Sequence, residues 1–280
     1  METPLLRPAP LARRAWLLGS LPWWAAACSG LRGPGDPPAA SGAAAAPPAP
    51  APAGPGPGPA PSAVAPAAPA EAWQPMPLPG KRATRYAAGR KDGRVVVHAR
   101  AEGSASMWRR RTRLDAAALG AVRFSWRVDA LNPAASVADI DHEDAVARLV
   151  FAFDGDRARL SPRTRAMFDL AQALGGEAPP FATLMYVWDT QAPLDSVIVN
   201  PRTDRIRKIV VDSGPAQLGR WREHRRDLAA DFRRAYGEPP GALLGVALMT
   251  DSDNTGARAE AWYGPVSFEP PAGTRPAGDA

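Results

Sequence analysis

The chain has 280 residues and a formal net charge of +6, from 34 Lys and Arg against 28 Asp and Glu. The basic residues are spread along the chain, and the densest run, residues 109–113, is short. Nucleic-acid binders concentrate basic residues on one face or element, so the balance indicates arginine-rich surface chemistry and not nucleic-acid binding. The single cysteine, Cys28, has no partner for an intramolecular disulfide.

The N-terminus has the pattern of a secretory signal peptide, which we assign to residues 1–27. A basic segment ends at Arg13 and Arg14, and an apolar segment of thirteen residues leads to Ala27. That segment is too short for a membrane-spanning helix, which needs about 20 residues. Ala25-Ala-Ala-Cys28 resembles a bacterial lipobox, although such motifs usually carry Leu three residues before the cysteine. We expect lipidation at Cys28; the alternative is ordinary cleavage near Ala27 that leaves a soluble periplasmic protein.

The segment from Cys28 to residue 70 is predicted to be a disordered tether. Residues 33–70 contain thirteen prolines, no aromatic residue and a single charge, Asp36. Such a composition cannot bury enough apolar surface to offset its ordering entropy. The predicted organisation is therefore a signal peptide, a lipidated tether, a folded domain over residues 71–270 and a disordered tail over residues 271–280.

The folded domain is predicted to be mainly β. Residues 122–128 alternate apolar and polar side chains, which is the period of a half-buried strand. Eight segments rich in β-branched and aromatic residues are expected to be strands: residues 94–100, 106–109, 122–128, 145–153, 183–188, 205–211, 244–250 and 259–263. Because no alternating β-α pattern is present, we predict an antiparallel jelly-roll-like β-sandwich with two short helices.

The two helices follow from capping and stop signals. Ser161-Pro162 provides an N-cap and a proline at the first helical position, and Met167, Leu170, Ala171 and Leu174 form one stripe before Gly175. The second helix is expected from the capping residue Asp227 to Tyr236, because Gly237 and two prolines prevent its continuation.

Residues 81–268 resemble a bacterial family catalogued as domain of unknown function 3047. The motifs that carry this resemblance are residues 124–128, 150–154, 186–188, 200–205, 219–221, 231–237, 247–256 and 261–264. In this comparison, residues 161–181 are expected to be an insertion between two core strands. The family has no agreed activity, so the resemblance implies no catalytic residue. The closing hairpin is also similar to the last hairpin of galactose-binding-like jelly rolls.

A sharp polar motif runs from Asp251 to Gly256. Asp251, Asp253 and Asn254 have the oxygen ligands and spacing of a calcium loop, but Trp262 stands where a helix-loop-helix calcium site requires Glu. A polar hairpin turn is the preferred interpretation, and a structural calcium ion is the alternative. No cofactor is otherwise indicated.

The acidic run at residues 141–144 is interpreted first as a solvated loop and second as an acid/base or metal site.

The candidate ligand-binding residues are Trp188, Asp189, Asn200, Arg202 and Trp262. Trp188 and Trp262 flank turns, where an indole face could stack on a sugar, and the polar residues could supply directional hydrogen bonds. Trp126 lies on the apolar side of its strand and is assigned to the core.

The leading hypothesis is a non-catalytic domain that binds a carbohydrate or polar envelope ligand. We expect the protein to be lipid-anchored to the periplasmic side of the outer membrane, or periplasmic. An exported glycan-cleaving hydrolase or lyase is the first alternative, and it would require Asp189, Glu223 and Glu260 to converge in one cleft. A purely structural envelope lipoprotein is the second, and it predicts no pocket. No pattern in the sequence indicates an oligomeric state.

Overall fold

The computed structural model describes residues 72–175 and 177–271, without the side chains of residues 174 and 175. The predicted signal peptide, Cys28, the tether and the tail beyond residue 271 lie outside these residues.

Within residues 72–175 and 177–271, thirteen strands form in two sheets, and the eight predicted strands are all among them. The bounds of the strands are β1 Gln74–Pro77, β2 Arg85–Lys91, β3 Arg94–Glu102, β4 Ser106–Leu114, β5 Ala121–Val128, β6 Ala147–Phe153, β7 Ala182–Asp189, β8 Val197–Val199, β9 Ile206–Ser213, β10 Trp221–Asp227, β11 Leu243–Met249, β12 Arg258–Tyr263 and β13 Ser267–Phe268. The prediction of a mainly β fold is confirmed.

The first sheet has seven strands in the order β1-β4-β11-β6-β7-β9-β8. The second has the order β10-β5-β12-β3-β2, and β13 pairs with β5 beyond the end of β12. The strand pairs are antiparallel with one exception, because β7 and β9 run parallel. A parallel pair needs a long connection, and here the residues between the two strands include β8, which lies on the far side of β9.

The hydrophobic core lies between the inner faces of the two sheets. Val122, Phe124, Trp126 and Val128 of β5 are buried as their alternation predicts, and Trp126 is 0% exposed. Phe124 stacks on Tyr186 of the first sheet, with ring centroids 5.7 Å apart. Burying a large apolar side chain completely stabilises a fold by about 1.5–3 kcal/mol, so this inner layer holds the sheets together.

Both predicted helices are present, α1 over Pro162–Gly175 and α2 over Leu228–Tyr236. The Ser161 hydroxyl accepts from the backbone N–H of Thr164 at 3.1 Å, and the Asp227 carboxylate accepts from that of Ala230 at 2.9 Å. Gly237 ends α2 in the left-handed conformation, with φ 70°.

The predicted stripe of α1 is corrected in one respect. Among the side chains of α1 that the structure describes, Phe168 and Ala171 are buried and Met167 packs partly buried against the core, whereas Leu170 is 44% exposed. Phe168 belongs to the main core, so its larger ring determines which way the helix faces. Within residues 72–175 and 177–271, the helices are too short or too polar to cross a membrane.

Strand β10 lies at one edge of the second sheet and turns polar side chains toward the first sheet. Asp212 of β9 accepts hydrogen bonds from the Trp126 indole at 2.7 Å and from Arg222 Nε at 2.8 Å. His224 Nε2 lies 2.7 Å from the same carboxylate. Burial alone would raise the pKa of Asp212, but the hydrogen bonds and charge of these partners hold it below its usual value. This interaction fixes β10 against the core.

Candidate functional site

A buried polar cluster forms where residues 129–146 cross the outer face of the first sheet. At its centre is Glu143, whose Oε1 lies 2.6 Å from the ammonium of Lys208. Asn200 donates from Nδ2 to both Glu143 oxygens, at 3.2 and 3.1 Å, and Arg202 Nη1 lies 3.6 Å from Oε2. Lys208 also donates to the carbonyl of Val137 at 2.7 Å. Two candidate ligand residues, Asn200 and Arg202, therefore meet at this carboxylate.

Arg148 connects the cluster to the motif that begins at Asp251. Its Nε and Nη2 donate to the two Asp251 oxygens at 2.9 and 2.8 Å, and Nη2 also donates to the carbonyl of Glu143 at 2.7 Å. The Arg148 and Asp251 side chains are 2% and 4% exposed. Because removing one partner of a buried pair costs about 3–5 kcal/mol, these contacts bind the loop firmly to the sheet.

Burial shifts the pKa of two groups in this cluster. Desolvation, together with the charge of Arg148, lowers the pKa of Lys208 to about 8. Desolvation also raises the pKa of Asp251 to about 6 against the opposing charge of Arg148. The adjoining cavity, lined by Asp144, Asp251 and Trp188 among others, has a volume of only about 10 Å³. That is room for one water at most, so this cavity cannot hold a substrate beside Asp251.

The Asp251–Asn254 motif lies next to Asp144, and carboxylate oxygens of Asp144, Asp251 and Asp253 come within 4.8 Å of one another. The three carboxylates already accept hydrogen bonds from protein donors. Asp144 accepts from the backbone N–H groups of Asn254 and Thr255, at 3.1 and 2.8 Å, and from the Thr255 hydroxyl at 2.6 Å.

Asp251 is held by Arg148, and Asp253 pairs with Lys81. Asn254 donates its amide to the carbonyl of Ile140 at 3.3 Å. A calcium ion would have to displace two cations and several N–H donors, so these residues do not fit a calcium site as they are arranged. The motif is polar, but it is not a hairpin, because β11 before it belongs to the first sheet and β12 after it to the second.

The structure does not bring the five candidate ligand-binding residues together in one place. Trp188 is 1% exposed, belongs to the core and donates its indole N–H to the carbonyl of Gly214 at 3.2 Å. Asp189 is 2% exposed and accepts from the backbone N–H groups of Val137, Gln191 and Ala192. Both residues border a turn in sequence, but loop 129–146 and the turn after β7 cover them.

Trp262 lies on the second sheet, on its outer face. His98 stacks on its ring at 4.9 Å, the Lys91 ammonium lies 3.9 Å from the ring centroid, and the residue is only 8% exposed. Its ring is therefore covered by its neighbours and not open as a stacking platform.

The outer face of the second sheet contains a groove of about 400 Å³. It is lined by Arg94, Arg123, Phe124, Ser125, Glu223, His224, Arg225 and Pro265. The groove forms where β12 ends at Tyr263 and the chain pairs again with β5 as β13. At Gly264 the chain lies so close to β5 that an added Cβ atom would be 2.2 Å from Ser125 Oγ, so a larger residue there would make that hydroxyl rotate away.

This face is strongly basic. Its strands turn eight cationic and four acidic side chains outward: Arg85, Lys91, Arg94, Arg100, Arg123, Arg127, Arg225 and Arg258, against Glu102, Glu223, Asp227 and Glu260. Three pairs of like charge stand directly opposite each other on neighbouring strands: Arg85 and Arg100, Lys91 and Arg94, and Arg123 and Arg225. Like charges in such positions destabilise a sheet by some tenths of a kcal/mol to about 1 kcal/mol unless anions neutralise them.

Carboxylates neutralise the arginines around the groove. Glu223 pairs with Arg94. Glu269 accepts hydrogen bonds from Nε of Arg123 and from Nε of Arg225, the latter at 2.8 Å. The hydrogen bonds and charges of these two arginines lower the pKa of Glu269. The Arg94, Arg123, Arg225 and Glu223 side chains are 46–62% exposed. Exposed ion pairs of this kind contribute about 0–1 kcal/mol, so another anion can replace the carboxylates at little cost.

Trp221 lies at the start of β10 beside this groove. Its indole N–H donates to Asp92 Oδ2 at 2.9 Å, and the guanidinium carbon of Arg94 lies 4.8 Å from its ring centroid. Unlike Trp188 and Trp262, it is partly exposed. It is therefore the indole best placed to contact a ligand on this face.

The three acids required by the glycan-cleaving alternative do not converge. Glu223 lies opposite Ser125, whereas Glu260 lies two residues from Trp262, which is opposite Arg127. Four residues along the sheet and two strands across place the two Cα atoms roughly 16 Å apart. Paired carboxylates of glycosidases are about 5–9.5 Å apart. Asp189 belongs to the other sheet.

Of the residues that line the groove, sequence reasoning selected only Glu223, as a candidate acid of the glycan-cleaving alternative. Arg123 stands at a polar position of the predicted β5 alternation, and Arg94 at the start of a predicted strand, so their outward direction was visible. The partner strand β10 was not predicted, because its inner positions are Arg222, His224 and Arg226 and it shows no apolar alternation. Without β10, neither the Arg123–Arg225 pair nor the groove can be located.

The fold and the groove define a class, a two-sheet β domain with a basic outer face. Residues 71–267 match the family described as protein of unknown function, DUF3047. Since the match covers more than half of the chain, the protein belongs to this family. A search of curated proteins finds no match.

Proposed function

We propose that this protein is an exported envelope protein whose β domain binds a carbohydrate or other polar ligand without catalysis. The observation that carries this proposal is the groove of about 400 Å³ on the outer face of the second sheet. Binding sites for small polar ligands combine a concave surface with a few directional polar groups. Arg94, Glu223, Arg123 and Arg225 offer such groups, and Trp221 offers a partly exposed ring beside them.

The two alternatives receive less support. A hydrolase or lyase built on Asp189, Glu223 and Glu260 would need acids that lie on two sheets to meet in one cleft. A purely structural lipoprotein predicts no pocket, whereas a groove with exposed hydrogen-bonding side chains is present.

Binding is tested with the full-length protein on a glycan array and in pull-downs with purified cell walls. We expect saturable binding that falls when Arg94→Gln and Glu223→Gln are combined. The matched control is Arg113→Gln, because Arg113 belongs to β4 of the other sheet and is 59% exposed. Absence of saturable binding in both assays would contradict the proposal.

The cellular localisation is a separate part of the proposal and is supported by the sequence alone. We propose that the signal peptide is removed and that Cys28 is lipidated, so the tether holds the domain away from the periplasmic side of the outer membrane. Mass spectrometry of the mature N-terminus should show an acylated Cys28, and Cys28→Ser should move the protein from the membrane fraction to the soluble fraction. Finding the protein in the cytosol with its signal peptide intact would refute this localisation.

A further inference from the structure

We infer that the groove takes an anionic group of an acidic polysaccharide between Arg123 and Arg225, in the position that the Glu269 carboxylate occupies in the free protein. This inference rests on the proposed binding function and specifies the ligand for the same site.

The first support is the arrangement of the two arginines. They are direct cross-strand partners on β5 and β10, and both point away from the core. Like charges so placed repel each other and require an anion between them. Each Nε group donates to a different oxygen of Glu269, which is a bridging carboxylate geometry. A carboxylate or sulfate of a ligand presents the same oxygens to the same donors.

The second support is that the Glu269 side chain can leave without disturbing the fold. The backbone of Glu269 is fixed, because its N–H donates to the carbonyl of Ala121 at 2.7 Å. Its side chain is 31% exposed, and both arginines are more than half exposed. A rotation of one side chain therefore exchanges an internal carboxylate for an external anion while the strands keep their pairing.

The third support is the extent of the basic face, which favours a polymer over a single small anion. Arg94 of β3 already lines the groove and pairs with Glu223, and the like-charged pair Arg85 and Arg100 lies further along β2 and β3. These strands are separated from the β10–β5 pair by β12, so Arg85 and Arg100 form a second set of cations roughly 14 Å across the sheet from Arg123 and Arg225. Acidic groups repeated along a polysaccharide can contact both sets.

A membrane surface is the less favoured source of the anion. Binding in a lipid interface requires apolar side chains that insert beside the basic residues. Of the exposed large apolar residues in the described part of the chain, only Val95 belongs to the second sheet.

The inference is tested by titrating the full-length protein with dextran sulfate, with polygalacturonate and with uncharged dextran as the matched neutral polymer. Vesicles of phosphatidylglycerol test the lipid source. The variants are Glu269→Gln, the double variant Arg123→Gln/Arg225→Gln, and the control Arg258→Gln. Arg258 stands on the same face but 87% exposed and away from the groove. Circular dichroism melting verifies that each variant folds.

We expect both acidic polymers to bind and uncharged dextran to bind at least tenfold more weakly. Glu269→Gln removes the internal competitor and should tighten binding about three- to tenfold, whereas the double variant should weaken it more than tenfold. Arg258→Gln should stay within about twofold, which separates the groove from general attraction to a basic face.

The inference is overturned if Glu269→Gln weakens binding, if the double variant binds like the wild type, or if vesicles bind and the polymers do not. Saturable binding of neutral glycans that ignores all three variants overturns the inference and leaves the proposed function standing. Absence of binding to any glycan overturns both. If the double variant does not fold, Glu269→Gln alone decides.

Discussion

Replacing Asp212 with Asn removes one negative charge from the contact between β10 and the core. The side chain is 3% exposed and accepts hydrogen bonds from Trp126 and Arg222, with His224 at 2.7 Å. The amide of Asn keeps the volume and one acceptor but turns an NH2 group toward donors. Breaking a buried charge pair costs about 3–5 kcal/mol. Because Arg222 and His224 are partly exposed, we expect Asp212→Asn to lower the free energy of unfolding by about 3 kcal/mol.

The assay is urea unfolding followed by far-UV circular dichroism. With an m-value of about 2 kcal/mol/M for a domain of this size, a loss of about 3 kcal/mol lowers the midpoint by about 1.5 M. The matched control is Asp115→Asn, because Asp115 is 76% exposed and its nearest cation, Arg113 Nε, lies 3.8 Å away. This control should change the unfolding free energy by less than about 0.5 kcal/mol.

The difference between wild type and Asp212→Asn should also depend on pH. Because the pKa of Asp212 is lowered in the folded state, its contribution is present above about pH 4 and is lost as the pH falls through the folded-state pKa. The two proteins should therefore converge in acid. A loss below about 1 kcal/mol at pH 7, or a difference that grows in acid, would refute the role assigned to this carboxylate.

Three further changes test other parts of the structure. Gly264→Ala should lower the free energy of unfolding by no more than about 1 kcal/mol, because Ser125 Oγ, which the new Cβ atom would meet, ends a side chain that can rotate, and combining it with Ser125→Ala should restore that loss; no restoration would show that the close approach is not the cause. Because the pKa of Lys208 falls to about 8 in the folded state, the unfolded chain binds the extra proton between about pH 8 and 10.5. Wild type should therefore gain up to about 3 kcal/mol relative to Lys208→Met as the pH rises through that window, and a flat difference in thermal melts at pH 7.5 and 10.5 would contradict the shift. Adding excess calcium should leave the melting temperature unchanged compared with EDTA, because Arg148 and Lys81 already neutralise Asp251 and Asp253; a clear rise would restore the calcium interpretation.

The strands that were predictable have large apolar side chains on at least one face. Residues 122–128 and 183–188 were found because Trp126, Tyr186 and their neighbours face the core. Strand β2 was not found, because its centre is Ala-Ala-Gly, and β8 has only three residues. Their strand conformation comes from pairing with β3 and β9, which is tertiary and leaves little mark on a local pattern.

The candidate site was less predictable for a related reason. Asp251 and Asn254 lie in the connection between β11 and β12, and their partners Asp144 and Arg148 lie more than a hundred positions away in the chain. The exposure of Trp188 and Trp262 was overestimated, because proximity to a turn says nothing about the loops and side chains that fold over it. The Arg123–Arg225 pair depends on the register of a strand that has no apolar period.

The most direct test of the binding account is an NMR titration that follows the arginine Nε–Hε signals of the full-length protein as dextran sulfate is added. Binding in the groove predicts the largest shifts at Arg123, Arg225 and Arg94, with little change at Arg148, which is buried under the other sheet's loop. Shifts centred instead on Arg202, or spread evenly over every exposed arginine, would contradict the groove as the ligand site.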